Sequence, residues 1–215
     1  CGARFTTSYT RIGGVAQDVT DEALSGVKTF IDDFISNLND IRNIVERNKI
    51  FIERCEGIGY LSKEDSIELG VTGPLLRACG IERDLRIAEP YLVYNKLDFR
   101  IPVYPDGDCL ARYYVRAEEL VESVKIIQQC LEKIPKGPHN ALQSKKVLPK
   151  KERVYTKMEE LIHDFMIINF GVNPPKIESY SAIEASKGEL GFYFISDGSG
   201  HAFRLKIRSP SFSNL

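Results

Sequence analysis

Two long stretches in which apolar residues recur at alternating steps of three and four constrain this chain more than any other feature. The first runs through Leu24, Val27, Ile31, Phe34, Leu38, Ile41 and Val45, and the second through Leu110, Tyr113, Ala117, Leu120, Val124, Ile127, Leu131 and Ile134. That spacing places one apolar seam along a helix. Thr20 suits an N-cap, with Asp21 and Glu22 in the first turn where the helix dipole favours anions. The spacing predicts a helix from there to about Arg54, roughly 50 Å long at 1.5 Å per residue. Asp108 is the expected N-cap of the second helix, which must end before Pro135, and the first helix is its expected partner. A third helix is predicted over 152–170, with Val154, Met158, Leu161, Phe165 and Ile168 on its seam. His163 sits off that stripe and reads as a structural or surface histidine. Seams of this length call for partners outside the chain, so poor solution behaviour is expected of it alone.

Between the seams the punctuation is dense. Gly57 and Gly59 break the first helix, and Ser62 opens a short helix with Asp65 three residues on, stopped by Gly70. In residues 70–91, Pro74 suits the first helical position and Gly80 the position after the last, so Arg77 rides on little more than one turn. Charges alternate through Glu82, Arg83, Asp84 and Arg86, and Pro90 forces an extended exit from Glu89. Composition alone describes a solvated charged loop. Residues 1–14 read as an extended or turn segment ending in Gly13 and Gly14, with Arg4 and Arg11 available for contacts. Residues 135–151 read as a linker rich in lysine (Lys136, Lys145, Lys146, Lys150, Lys151), able to meet acidic lipid or a partner subunit or simply to stay solvated.

After Pro174 and Pro175 the period changes. Residues 177–185, 189–196 and 201–208 are β-rich runs separated by Ser186, Lys187 and Gly188 and by Asp197, Gly198, Ser199 and Gly200, the turn residues of a three-stranded meander. The expected class is therefore α+β, mainly α: a long-helix bundle over 1–175 with a charged loop at 70–91, then a small antiparallel β meander over 176–215, the whole being a fragment of one larger domain.

Composition excludes several functions. The 215 residues are 43% hydrophobic, enough for a substantial core, and the formal net charge of −1 offers no basic stripe to a phosphate backbone, so nucleic acid is not an expected partner. No run of about 18 apolar residues reads as a membrane span. Five cysteines without a C-x-x-C pair suggest a reducing compartment. The three histidines (His139, His163, His201) have no ligand-like spacing to them, so no metal or iron–sulfur site is expected wholly inside the chain. There is no Walker loop, no G-x-G-x-x-G after a strand and no H-E-x-x-H. Gly198, Ser199, Gly200 and His201 lack the strand-to-helix context of a nucleophile elbow and read as a hairpin turn.

Five ordered motifs go further. They are Gly2-Ala3-Arg4-Phe5 with Tyr9-x-Arg11-x-Gly13-Gly14; Thr72-Gly73-Pro74-x-Leu76-Arg77-Ala78-x-Gly80; Asp84-x-Arg86 with Pro90-Tyr91; the run 187–198 from Lys187 to Gly198; and 204–212 from Arg204 to Phe212. In this order and spacing the chain resembles the D-subunit family of the proton-pumping NADH:quinone oxidoreductase, respiratory complex I, and looks like a C-terminal-half fragment of it. The resemblance covers essentially the whole chain. It implies a hydrogenase large-subunit-like fold and an enzyme subunit that is inactive as a fragment and binds no redox centre itself. It implies a wall of the quinone-reduction site beside the terminal iron–sulfur cluster of a neighbouring subunit, in a complex coupling electron transfer from NADH to proton translocation.

The partners so implied are the other peripheral-arm subunits, notably the terminal iron–sulfur cluster subunit and the C-subunit partner, with membrane-arm contact and a quinone at the interface. The implied location is the cytoplasmic face of the bacterial inner membrane, peripherally bound. The family's quinone-headgroup residues lie in a portion not contained here, so no catalytic residue is assigned. Arg4, Thr6 and Arg11 fall on the segment that lies near the cluster in the family. Thr6 stands where members often have a histidine, and a hydroxyl cannot titrate near neutral pH. Arg4 and Arg11 are then the candidates to tune the cluster by charge. Arg77, Asp84 and Arg86 are expected to be paired supports rather than reactive groups. The alternatives are a related membrane-bound hydrogenase-type or deazaflavin-dependent dehydrogenase subunit, which would need two cysteine pairs in its remaining sequence, and a non-catalytic helical scaffold.

Overall fold

The computed structural model describes residues 7–141 and 146–214. The predicted first helix is two helices. Helix α1 spans Asp21–Glu46 and α2 spans Lys49–Cys55, and the break falls at Asn48. Its Oδ1 accepts from the backbone N–H groups of Ile50 and Phe51 at 3.0 and 3.3 Å, so a new N-terminus is capped where the seam alone suggested continuity. The apolar period carries no mark of that interruption, because a side-chain cap competes with the helix only locally. Along α1, Ile31 and Leu38 are buried, whereas Val27 and Ile41 on the same seam are exposed.

Helix α3 (Lys63–Glu68) begins on Ser62, whose Oγ accepts from the Asp65 N–H at 3.0 Å. Helix α4 (Pro74–Ala78) carries Pro74 in its first turn between Gly73 and Gly80, and α5 (Leu85–Ala88) is capped by Asp84. A 3-10 turn at Tyr94–Lys96 leads through loop to α6, Cys109–Lys133. Asp108 starts α6 as expected: Oδ1 accepts from the Ala111 N–H and Oδ2 from the Gly57 N–H, each at 2.7 Å. One carboxylate thus caps α6 and pins the glycine turn after α2.

The closest backbone approach to α6 is made by α4, while α1 also runs beside α6 as expected, its Lys28, Ile31 and Asp32 sharing a cleft with Gln128, Leu131 and Glu132. Ala78, Ala111 and Val115 form a buried centre with Tyr104 against it. Small residues at Ala78 and Ala111 let the two helix backbones approach closely, which the long side chains of the α1 seam do not. The predicted helix over 152–170 is also interrupted, into α7 (Lys151–Val154) and α8 (Met158–Phe170). Thr156 Oγ1 turns back onto the Glu152 carbonyl at 2.9 Å, and Lys157 is extended ahead of α8.

The N-terminal turn segment forms a minimal hairpin, β1 (Thr10–Arg11) paired antiparallel with β2 (Gly14–Val15). The later strands are β3 (Glu178–Ala185), β4 (Gly188–Ile195) and β5 (Arg204–Arg208), in the order of a meander, followed by the turn α9, Pro210–Ser213. The class is thus mainly helical α+β, as the periods predict. Among the described residues the chain divides into two compact units. One comprises 7–23, 135–141, 146–179 and 194–205, and the other 24–134, 180–193 and 206–214. The described lysines of the basic linker belong to the first; Lys145 lies outside the described residues.

In the second unit the start of α4 lies against the turn between β3 and β4. A Cβ on Gly73 would fall 2.4 Å from Gly188 Cα, and one on Gly188 would fall 2.6 Å from Thr72 Oγ1. Both glycines hold positive φ, +71° and +128°. Gly73→Ala and Gly188→Ala are each expected to lower stability by about 2 kcal/mol or more, from strain and backbone overlap together. Gly57→Ala, at φ +67° but with nothing within 4 Å, is expected to cost about 1 kcal/mol from strain alone. Chemical denaturation midpoints of the three variants give the comparison.

Candidate functional site

Arg77 is the largest fully buried side chain described in the protein, at 1% exposure, and Asp84 is as deeply buried. A guanidinium cannot lose its charge at any ordinary pH, so burying it requires partners for its N–H groups. The chain supplies them from four places. Nε of Arg77 donates to Oε1 of Glu119 on α6 at 2.8 Å, and Nη2 is ion-paired with the same oxygen at 2.5 Å. Nη1 donates to the Arg83 carbonyl and to Oε1 of Glu184 on β3, each at 3.0 Å, and lies 3.5 Å from Oδ2 of Asp84.

Asp84 holds a second cation. Its two oxygens take the Arg86 guanidinium in a fork, Nη2 to Oδ2 at 2.6 Å and Nε to Oδ1 at 3.0 Å, while Oδ1 also caps α5 through the Arg86 N–H. The Arg86 guanidinium lies 5.0 Å from the centre of the Phe99 ring and 6.0 Å from that of Tyr94. Glu184 closes the circuit. Its Oε2 accepts from the Leu85 N–H at 3.3 Å, and its own N–H donates to the Tyr91 hydroxyl at 3.1 Å. One turn of helix, its following loop, the long α6 and a β-strand are joined through one arginine.

Local sequence explains why Arg77 stands there. Pro74 and the flanking glycines allow a single turn, and the carbonyls of Arg77 and Ala78 are then claimed by the N–H groups of Tyr104 and Gly107. The helix cannot lengthen, so its side chain points across to α6. Above the cluster opens a cleft of about 450 Å³ lined by Arg77, Arg86, Arg116, Glu119, Ser123 and Glu184 among others.

Burial pushes the Asp84 carboxyl up, but the Arg86 fork and the Arg77 charge more than offset it, and Asp84 titrates below the usual aspartate range. Burial likewise opposes the charge on Arg86, yet Asp84 holds its guanidinium above the ordinary value. Glu119 goes the other way: burial raises it, and Arg77 only partly offsets the rise. A second, surface network lies further along α6. There buried Glu122 accepts from Arg100 Nε at 3.1 Å and Lys125 Nζ at 2.7 Å, and Tyr104 donates to Glu118 at 2.6 Å. Burial together with that bond to Glu118 pushes the Tyr104 hydroxyl up to about 12.

Of the sequence-designated residues, Arg77, Asp84 and Arg86 are brought together. Arg11 is exposed on β1 in the other unit, its Nε 3.3 Å from the Ser8 carbonyl, lining a cleft of about 390 Å³ with Ile12, Val15, Val147, Leu148 and Ile167. Arg4 and Thr6 lie outside the described residues. Glu119, Glu184 and the Tyr91 hydroxyl were not legible in the sequence. The one signal was the imbalance within 77–86, where more arginines than acids leave positive charge for distant residues to answer. Among the described residues no group of three or more histidines, cysteines or acids is placed to hold a metal ion, and no helix is long and apolar enough to cross a membrane.

These features define a mainly helical α+β protein whose principal charged site is an internal ion-pair hub under an open cleft. The model of the family described as the respiratory-chain NADH dehydrogenase 49 kDa subunit matches residues 1–215, and the chain belongs to that family. It is 52% identical over 214 residues to the NADH-quinone oxidoreductase D 1 subunit of Chloroherpeton thalassium. It is 48% identical over 215 residues to the D subunit of Salinibacter ruber, and 50% identical over 214 to that of Methylacidiphilum infernorum. All of this chain is covered in each case, against 49%, 48% and 51% of the relatives. The chain therefore spans about half the length of the curated relatives it matches.

Removing one partner of a buried charged pair leaves the other uncompensated. Arg77→Met is expected to destabilise the protein by about 3–5 kcal/mol, with Arg77→Lys recovering only part because an ammonium cannot fork. The folded Asp84 lies below its ordinary value of 3.8, so its stabilising contribution is present above that value and is lost as pH falls through the lower folded one. The deficit of Asp84→Asn is thus expected to be full at neutral pH and to shrink in strong acid. Denaturation curves of both proteins along a pH series read this out.

Proposed function

We propose that this chain is part of a subunit of NADH:quinone oxidoreductase and forms one wall of the site where electrons leave the terminal iron–sulfur cluster for a quinone. The observation that carries the reading is the family match over all 215 residues. The relatives named above are subunits of NADH-quinone oxidoreductase by name, which favours this reading over a hydrogenase-type or deazaflavin-dependent enzyme. The reaction passes electrons from NADH to quinone and drives proton translocation, with the cluster held by a neighbouring subunit. The partners are that neighbour, the C-subunit partner, other peripheral-arm subunits and the membrane arm, at the cytoplasmic face of the bacterial inner membrane.

In this reading the residues of the chain hold shape and set charge; none is assigned a bond-making step. The Arg77, Asp84, Glu119 and Glu184 hub fixes residues 70–91 against α6 and β3 and so supports the surrounding wall. Arg4, Thr6 and Arg11 border the cluster, where the two arginines would favour its reduced form. Apolar side chains beside Arg11 suit the wall of a site for an apolar carrier.

Assembled complex carrying the full-length subunit gives the test. Loss of the subunit is expected to abolish quinone reduction by NADH, and unchanged quinone reduction would sink the proposal. Arg11→Gln is expected to lower the midpoint potential of the neighbouring cluster by on the order of tens of millivolts, because a positive charge that favours the electron is gone. Redox titration followed by electron paramagnetic resonance measures it, and an unmoved potential removes Arg11 from the cluster's surroundings.

A further inference from the structure

The hub contains more anion than cation. Inside it, Arg77 and Arg86 face three carboxylates, Asp84, Glu119 and Glu184, whose side chains are between fully and about four-fifths buried. The other charged group lining the cleft is Arg116, which stands exposed at the rim with Nη1 on the Arg112 carbonyl at 3.3 Å. A charge in water screens a buried site weakly, so three carboxylates share two guanidiniums. Like charges crowded in this way are relieved when one carboxylate takes a proton.

Hydrogen bonding selects which one. Both oxygens of Asp84 are occupied by Arg86. Glu184 gives one oxygen to Arg77 and the other to the Leu85 N–H. Glu119 places both of its Arg77 bonds on Oε1, and among the described residues Oε2 accepts none. Glu119 also lines the cleft that opens the cluster to water.

From this arrangement we infer that the hub is a binding site for one exchangeable proton, carried on Oε2 of Glu119 and exchanged with water through the cleft. Protonated, the five-group cluster is neutral, with two guanidiniums on two carboxylates. Ionised, it carries one negative charge in excess. The proton is taken from and returned to water, so no oxidant or co-reactant is needed. The upward displacement of Glu119 by burial agrees with it. The inference stands on the cluster and its cleft and does not depend on the quinone-site reading.

The sign of a pH dependence tests it. A carboxyl raised in the folded state contributes stability that is lost as pH rises through its folded value, whereas an ordinary ion-paired carboxylate gains it. Hydrogen exchange is followed on the α4 and α6 amides of the full-length subunit in its assembled complex, corrected for the intrinsic pH dependence of exchange. Between pH 5 and pH 8 the local opening constant of the wild type is expected to rise relative to that of Glu119→Gln, by up to about tenfold for each unit by which the group is raised. A ratio that stays flat or falls overturns the proposal. In a Glu184→Gln background, where two carboxylates face two guanidiniums, the rise is expected to disappear. Its persistence there would show burial alone at work and overturn the crowding on which the site rests.

Discussion

The cost of burying one guanidinium organises the better-packed unit of this protein. Arg77 has no neutral form to retreat to, and the low-dielectric interior makes each unmet N–H expensive. Its position is therefore tolerable only if α6, the loop after α4 and β3 all arrive with acceptors in place. Elements separated by 42 and 107 residues in sequence are fixed relative to one another by that demand. A hydrophobic residue at this point would pack against many arrangements, whereas the fork of Arg77 accepts few.

Glycines supply the room. Gly73 and Gly188 bring a helix start and a hairpin turn into backbone contact, and Arg208 stitches the same place by donating to the Thr72 hydroxyl and the Glu189 and Gly70 carbonyls. Asn214 adds bonds to both the N–H and the carbonyl of Thr72. The short helix α4 is thus clamped at its start by glycine contact and side-chain amides, and in its middle by charge. Rigidity here comes from polar geometry around a small apolar centre at Ala78, Ala111 and Val115.

The same hub has a functional consequence whichever surface the full protein presents. A set of buried charges that is one proton from neutrality ties protonation to the packing of α4 against α6. Fixed charges of such a site matter as much as its shape, since a positive or negative group sets the energy of charge arriving nearby. Arg11, exposed and beside apolar side chains, is charge of the outward kind; Arg77 is charge of the inward kind, spent on holding the structure.

Sequence alone determined the class and many of the element edges. The seams dictated α1 and α6, Asp108 and Ser62 marked helix starts, Pro74 and Gly80 bounded α4, and the change to a two-residue period marked the meander. These are local, because caps, glycines and periodicity act within a few residues. Even locally, helices whose apolar spacing was continuous are interrupted, by the side-chain cap at Asn48 and by the turn at Thr156 and extended Lys157, and neither leaves a trace in the period. What only tertiary structure decided was the element that approaches α6 most closely, one turn of helix with an alanine face, while the long seam of α1 keeps a wider spacing. It also decided the fate of residues 70–91. Their alternating charges describe a solvated loop by composition, and Glu82, Arg83 and Glu89 do stay exposed, but Arg77, Asp84 and Arg86 became a buried hub because Glu119 and Glu184 were delivered from far along the chain. A charge is stable inside or outside according to where its counter-charges are, and that is a property of the folded chain rather than of any segment of it.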